Sequence, residues 1–438
     1  MFKIAFIGAG STVFAKSLLG DCILTPELGE FEVALHDIDP VRLEDSHRML
    51  QNLNKNLNGK IIKITSTLSR REALDGANYV INAIQVGGYK PSTVIDFEIP
   101  KKYGLRQTIG DTLGIGGIFR ALRTIPVLES IAEDIAELCP DALFINYTNP
   151  MAILSGYLQR FTNIKTIGLC HSVQGCANHL LRQLKMDEYV NNCIWEIAGI
   201  NHQAWLLKIT DKDGNDLYPE IKRRSKNPPE GADFRHDLVR HDIMHRLGYY
   251  VTESSEHNAE YTPWYIKSKY PELIDKYNIP LDEYPRRCVN QINNWEKMRE
   301  ELVNNHNLTH HKTNEFAANI IKAIETDSYF RVHGNVLNTG LITNLPSNAC
   351  VEVPCLVDRS GIHPCFVGDL PEQCAALNRT NINVQLLTQE AARTKQKEFV
   401  YMAAMFDPHT AAELSPDDIV AMCDDLFEAH KDFLPEYK

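Results

Sequence analysis

No stretch of this sequence comes near the roughly 20 consecutive apolar residues that a bilayer-spanning helix needs. Met1-Phe2-Lys3 runs straight into a strand pattern, so no signal peptide is expected either. Basic charge is in short supply. Lys plus Arg number 45 against 57 Asp plus Glu, a net charge of −12, which disfavours nucleic acid and anionic membrane surfaces as partners. Paired cysteines are missing too. The 11 cysteines are odd in number and follow no framework spacing, which points to reduced thiols and a cytoplasmic location rather than a disulfide scaffold. Internal repeats and low-complexity tracts are absent. What remains is a 438-residue chain, 44% hydrophobic and 23% charged, long enough for two or three domains with sizeable cores.

The first half alternates strand and helix signals. Lys3 to Ile7 is a β-rich apolar run that stops at Gly8-Ala9-Gly10-Ser11-Thr12, and a helical pattern follows from Val13 to Asp21. Glycine permits the tight turn and a close approach to a pyrophosphate, whose charge the helix amino terminus favours. Val13 occupies the place of the usual third glycine, and a plain strand-to-helix turn is the competing reading. A second strand, Phe31 to Leu35, ends in His36-Asp37-Ile38-Asp39. An acid there is placed for a ribose 2′-hydroxyl, which favours NAD over NADP. Asp37 is the candidate, with Asp39 a helix N-cap. Further strands are expected over Ile61–Thr65, Tyr79–Ile84, Leu143–Ile145 and Lys165–Leu169, with Gln85 beside the cofactor. Helices are expected over Ile118–Leu138, from near Pro150, and over Ser172–Leu184. This pattern predicts an α/β fold with a doubly wound, Rossmann-type parallel sheet over residues 1–193.

From Ile194 the pattern changes. Strands over Ile194–Ile200 and Ala204–Thr210 precede helices over Phe234–Leu247, Asp282–Asn304 and Asn314–Glu325. Val332–Leu341 and Cys350–Val357 read as strands of a second sheet. Asn381–Met405 reads as one long helix and Pro416–His430 as another, capped by Ser415. Residues 194–438 are therefore expected to form an α+β substrate-binding and oligomerisation domain.

Candidate chemistry gathers where apolar runs end. Cys170 and His171 close one strand and His202 closes another, and ligands bind at the carboxyl ends of strands in open α/β sheets. A thiolate and an imidazole suit an intermediate divalent metal, and with Cys170 and His202 as its only protein ligands the ion would keep positions open to substrate. The bland alternative is a buried cysteine acting as a small hydrophobe. His171 suits proton transfer near neutral pH, or is a satisfied histidine at a helix start. Val251 to Trp264 is dense in titratable and aromatic groups. Within it Tyr261 is the preferred base, with Glu253, Glu256 and His257 as rivals. Asn149 either reaches a substrate hydroxyl or caps a helix. Arg286 and Arg287 either bind substrate or serve as surface charge. The glycine-rich Arg106–Gly117 segment is a connection or, as the favoured reading, a flexible cover.

Lys3–Thr12, Asp37-Ile38-Asp39, Asn149-Pro150, Cys170 to Gly175, Gly199 to His202, Val351 to Pro354 and Asp407 to Thr410 together resemble the NAD-dependent family 4 glycoside hydrolases. Within that family, Thr252 to His257 and Glu260 to Trp264 are most similar to the melibiase-type α-galactosidases. The resemblance implies a lactate/malate-dehydrogenase-like arrangement and an NAD- and Mn²⁺-dependent glycosidase, a family outside the two-carboxylate scheme. NAD⁺ would oxidise the sugar at C3, and Mn²⁺ on Cys170 and His202 would steady the anion left when a base removes the C2 proton. The glycosidic bond would then be lost by elimination. Asn149 would contact sugar hydroxyls. His171 stands where phospho-sugar relatives have an aspartic acid, which leaves the acid open, and relatives with a tyrosine base favour Tyr261. No phosphate-binding pattern marks a 6-phospho-sugar pocket, so an unphosphorylated α-galactoside is expected. A homo-oligomer, dimer or tetramer, is implied by the resemblance alone. The rivals are an α-glucosidase or α-galacturonidase of the same family, a plain NAD-dependent dehydrogenase, and a non-enzymatic NAD sensor.

Overall fold

The computed structural model describes residues 1–56 and 62–438. Its spine is a single 12-stranded sheet. Six strands form the parallel part: β1 Lys3–Ile7, β2 Glu32–His36, β3 Lys63–Thr67, β4 Tyr79–Asn82, β5 Leu143–Asn146 and β6 Lys165–Gly168. Their order is β3-β2-β1-β4-β5-β6, all parallel, which is the doubly wound dinucleotide-binding topology. The near-continuous apolar runs of β1, β2, β4 and β5 are what a strand covered on both faces requires. Helices lie on both sides, and two apolar clusters fill the gaps, one built around Phe6, Leu18 and Leu50 and the other around Ile7, Phe119 and Phe144. The expected third strand over 61–65 begins at Ile61, outside the described residues.

The sheet does not stop at β6. Six further strands continue it: β7 Ile194–Ile200, β8 Gln203–Thr210, β9 Tyr250–Val251, β10 Phe330–Leu337, β11 Cys350–Asp358 and β12 Gly361–Pro364. β10 pairs antiparallel to β6 through Asn335 and Gly168, β11 lies beside β10, and Glu352 of β11 pairs with Gly199 of β7. The order runs β6-β10-β11-β7-β8-β9, with β12 on β11. β10 and β11 therefore do not build a second sheet, as their separation in sequence suggested. They are wedged between β6 and β7 and splice the two halves into one surface.

The expected long helix over 381–405 is two helices, Glu372–Thr394 and Lys397–Phe406. Lys395 between them takes a left-handed φ of 57°. The chain terminus fills the break: the Lys438 amide donates to the Lys395 carbonyl at 2.8 Å, and the Lys397 amide donates to the Lys438 carbonyl at 2.9 Å. No periodicity in the sequence could report a contact with the far end of the chain. The helix Pro416–Ala429 does start as expected, with the Ser415 side chain accepting from the Asp418 amide. Among the described residues no helix is long and apolar enough to cross a membrane.

Candidate active site

At the carboxyl end of β1 the chain turns through Gly8, whose φ of 89° suits glycine. A β-carbon there would sit 2.7 Å from the Ala83 carbonyl, so β1 and the end of β4 approach as closely as backbone allows. Asp37, at the end of β2, accepts from the Gly10 amide at 2.7 Å through one oxygen and from the Asp39 amide at 2.9 Å through the other. Asp39 in turn caps the next helix through the amides of Val41 and Arg42. Thr12 is turned away from the turn's open side. Its hydroxyl meets Ser46, which donates to the Ala9 carbonyl, so the glycine turn is locked from behind. The helix Thr12–Ile23 begins after Ser11 with no side-chain cap and no acid in its first turn among the described residues. Its first amides are thus left for an anion, as a dinucleotide pyrophosphate requires. Gln85 lies exposed beside Gly87 and Gly88, both at positive φ. Ser11, Thr12, Gly8, Gly10, Asp37 and Gln85 thus surround one corner of the sheet.

Three strand ends deliver a second cluster. Cys170, His202 and Glu253 each stand two residues past the end of a strand, after Gly168 of β6, Ile200 of β7 and Val251 of β9. Their ligand atoms all lie within 4.8 Å of one another. His202 occupies the tip of the β7–β8 hairpin, where Ile200 pairs with Gln203 and leaves Asn201-His202 as a two-residue loop. Such loops need positive φ, and His202 takes 63°. Glu253 takes 65°. Two non-glycine residues in the left-handed region each store about 1–3 kcal/mol, which their surroundings must hold. His202 Nε2 is 3.4 Å from Glu253 Oε2, and Cys170 Sγ is 4.0 Å from the same oxygen. His202 Nδ1 is 3.1 Å from the Tyr261 hydroxyl, which fixes the ring and aims Nε2 at the other two donors. Burial works against the charge of Glu253, but His202, His257, Arg240 and His171 hold its carboxyl below the usual range. Burial, and then Glu253, push the Cys170 thiol up to about 12. One soft sulfur, one imidazole nitrogen and one carboxylate oxygen form a donor set that fits a divalent ion of the manganese-to-zinc series.

The proton-transfer candidates flank this cluster. Tyr261 is fully buried. Burial, followed by the charges of Glu260, Asp111 and Glu253, raises its phenol well above the ordinary value. His171 points outward, with its side chain 55% exposed, and its Nε2 is 2.7 Å from Glu315 Oε1. The Glu315 carboxylate raises the His171 pKa, against the opposing effect of burial. Glu315 is delivered by a segment anchored far away: buried Asp21 accepts from the Thr313 amide at 2.8 Å and pairs with His310 Nε2 at 2.7 Å.

A model of the family 4 glycosyl hydrolases matches residues 3–186, and the model of that family's C-terminal domain matches residues 197–410. The chain belongs to the family 4 glycosyl hydrolases. It is 65% identical, over the full length of both chains, to an alpha-galactosidase of Bacillus subtilis (strain 168). It is similar in structure to a 6-phospho-alpha-glucosidase from gut microorganisms solved in complex with NAD and Mn²⁺, with a TM-score of 0.82, 22% identity and complete coverage of both chains. A malate dehydrogenase of Plasmodium falciparum matches at a TM-score of 0.51 and 15% identity, over 90% of this chain and 99% of that one. At those identities the last two speak to the fold alone.

Other expected site residues of this family 4 hydrolase are placed unevenly. Asn149 follows β5, and its Oδ1 accepts from the Met151 amide at 3.3 Å just ahead of the helix Met151–Phe161, whose N-cap position is Pro150. Arg287 reaches the site's edge, donating to Glu256 Oε1 at 2.8 Å and to Glu283 Oε1 at 2.8 Å. Arg286 pairs with Glu283 on its own helix turn, 2.7 Å away, and is exposed. The Arg106–Gly117 segment is hydrogen-bonded to its surroundings: the Gln107 and Thr108 carbonyls accept from the Asp282 and Tyr284 amides, and Glu260 collects three amides of the loop. Glu253 entered the sequence reading only as a rival base. Its place beside the other two was foreshadowed, since it follows a short apolar strand just as Cys170 and His202 do. Glu315 carried no such signal, because its partner lies 144 positions away.

Proposed function

We propose that this chain hydrolyses terminal α-galactosidic bonds of melibiose-type substrates with bound NAD and a divalent metal, manganese. The observation that carries the reading is the convergence of Cys170, His202 and Glu253, each two residues past a strand, on the one sheet that also bears the dinucleotide turn. The full-length likeness to an alpha-galactosidase supports the sugar and the bond. When bound, NAD supplies a hydride acceptor for C3 and the metal a Lewis acid, which together acidify the sugar's C2 hydrogen.

The chain's own residues handle the rest. Gly8, Gly10, Ser11 and the backbone amide of Thr12 seat the pyrophosphate, Asp37 the ribose, and Gln85 borders the nicotinamide side. Cys170, His202 and Glu253 hold the metal. Tyr261, tied to His202, removes the C2 proton. Oriented by Glu315, His171 delivers a proton to the departing glycosidic oxygen. Asn149 and Arg287 face sugar hydroxyls, with Arg286 at the outer edge.

The chain divides into a dinucleotide-binding unit, 1–193, and a substrate-binding and oligomerisation unit, 194–438. The change from parallel to antiparallel pairing beyond β6 supports that division. A homo-oligomer, dimer or tetramer, is supported by the helix Glu283–Leu302: among the described residues it buries none of its own, and it exposes Val289 and Ile292. Eleven free thiols and a thiol ligand suit the reducing cytoplasm. The test is hydrolysis of nitrophenyl α-galactoside, α-glucoside and α-galacturonide under reducing conditions, with and without NAD⁺ and Mn²⁺. The galactoside is expected to turn over only with both present. Turnover without NAD⁺, or faster turnover of either other sugar, refutes the reading.

A further inference from the structure

Residues 303–316, between the helices Glu283–Leu302 and Ala317–Thr326, form no helix or strand, yet they end on the proton-transfer group. Their middle is fastened to one side chain. Asp21, wholly buried near the end of the helix Thr12–Ile23, accepts through Oδ1 from His310 Nε2 at 2.7 Å and from the Thr313 amide at 2.8 Å. Through Oδ2 it accepts from the Thr313 hydroxyl at 2.5 Å. Gly20 makes room for this contact, because a β-carbon there would stand 2.7 Å from the His310 ring. The Thr313 hydroxyl gives its one proton to Asp21 and offers a lone pair to the Glu315 amide, at 3.2 Å. Glu315 Oε1 then meets His171 Nε2 at 2.7 Å. Phe316, the next residue, lies against the same imidazole with ring centroids 6.0 Å apart. A side chain as exposed as that of His171 has several orientations open to it, so its hydrogen bond to Glu315 does much to choose one.

We propose that Asp21 is a positioning residue for His171: it fastens residues 310–313 to the helix Thr12–Ile23, and the Thr313 hydroxyl, so oriented, sets where Glu315 holds the imidazole. The earlier part of the segment has its own ties. Asn52 donates to the Val303 carbonyl at 3.1 Å, and Asn56 donates to the carbonyls of His306 and Leu308 at 2.7 and 3.1 Å. Asp21 therefore governs the portion that leads into Glu315. The inference rests on the reading of His171 as the acid that protonates the departing glycosidic oxygen.

A misplaced acid is felt only where the leaving oxygen needs a proton. Melibiose must release a sugar alkoxide, a strong base, whereas nitrophenyl α-galactoside releases a nitrophenolate that departs unprotonated. Asp21→Asn keeps the size and removes one acceptor from a group that takes three hydrogen bonds. Expected is a roughly 10- to 100-fold fall in kcat/KM on melibiose, the scale of a small misplacement of a reacting group. Turnover of nitrophenyl α-galactoside, and Kd for NAD⁺ and for Mn²⁺, should stay within about 3-fold of wild type. A fall on the nitrophenyl substrate as large as on melibiose marks a merely structural role and overturns the proposal. So does an unchanged rate on both, or a parallel loss of NAD⁺ and Mn²⁺ binding. If Asp21→Asn does not fold, the pair Thr313→Val and Thr313→Ser decides. Valine lacks the hydroxyl and should reproduce the melibiose-selective loss, while serine retains it and should not; any other outcome refutes the role of Asp21. His171→Gln separates the two levels. An equal loss on both substrates, or none, refutes His171 as the acid and the inference with it. A melibiose-selective loss in His171→Gln that the Asp21 and Thr313 variants do not share refutes only the role of Asp21.

Discussion

Replacing Cys170 by serine tests the metal cluster most directly. In the protein without metal, burial and Glu253 hold the thiol at about 12. Keeping it ionised at pH 7.5 therefore costs on the order of 6 kcal/mol, at about 1.4 kcal/mol per pH unit between pH and pKa. Metal binding must supply that energy, and each ion bound must release about one proton from the sulfur. Apparent Mn²⁺ affinity should then rise close to tenfold per pH unit between about pH 7 and 9. Titration calorimetry in buffers of different protonation enthalpy counts the protons directly. Serine cannot ionise in this range, so Cys170→Ser should bind Mn²⁺ at least ~100-fold more weakly, because even partners outside the ligand set are worth 10–100-fold. Its proton release should vanish. NAD⁺ binding, measured by quenching of protein fluorescence, should persist, since the glycine turn lies at β1 and β2. A variant with wild-type turnover, or a wild-type protein whose Mn²⁺ affinity is flat with pH, would refute the assignment of the sulfur as a ligand.

Glu315 raises the His171 pKa, so the protonated imidazole is favoured below the ordinary histidine value and lost as pH rises through the raised one. Glu315→Gln should therefore move the alkaline limb of the kcat profile to lower pH, and an unmoved limb argues against His171 as the acid. Gly10→Ala places a β-carbon 2.7 Å from Asp37 Oδ2, so NAD⁺ affinity should fall steeply in equilibrium titration while the Mn²⁺-dependent calorimetric signal persists. Asp96 is buried between Arg123, at 2.6 and 3.0 Å, and His430, at 2.8 Å. Asp96→Ala should cost about 3–5 kcal/mol in denaturant unfolding, the penalty for stranding a buried charge. Because Arg123 also donates to the Val86 carbonyl at 3.1 Å, the loop bearing Gln85 should loosen with it.

Much of the fold is local information. Apolar runs at β1, β2, β4, β5 and β6, separated by helical periodicities, are written in contiguous residues, and strand alternation with helices leaves few topologies open. The glycine turn, the acid at the end of β2 and the Ser415 cap are legible for the same reason: each depends on neighbours within a few positions. Cys170 could be picked out because the carboxyl ends of parallel strands in such sheets gather at one edge, a rule that needs no contact map; His202 closes an antiparallel strand, and only the packing of β10 and β11 between β6 and β7 brings it to Cys170. Tertiary structure alone decided what lies between them. The sequence cannot say that β10 and β11 insert between β6 and β7, because antiparallel pairing over more than a hundred residues is set by which edge is free, not by either strand's pattern. Nor can it say that Lys395 breaks a helix to receive the chain terminus, or that Asp21 carries Glu315 to His171. Glu253 joins Cys170 and His202, and Glu260 meets the amides of residues 108–110, only once chain segments far apart in sequence are packed into the same few ångströms. Periodicity records which face of an element is buried, and long-range packing chooses the partner that buries it.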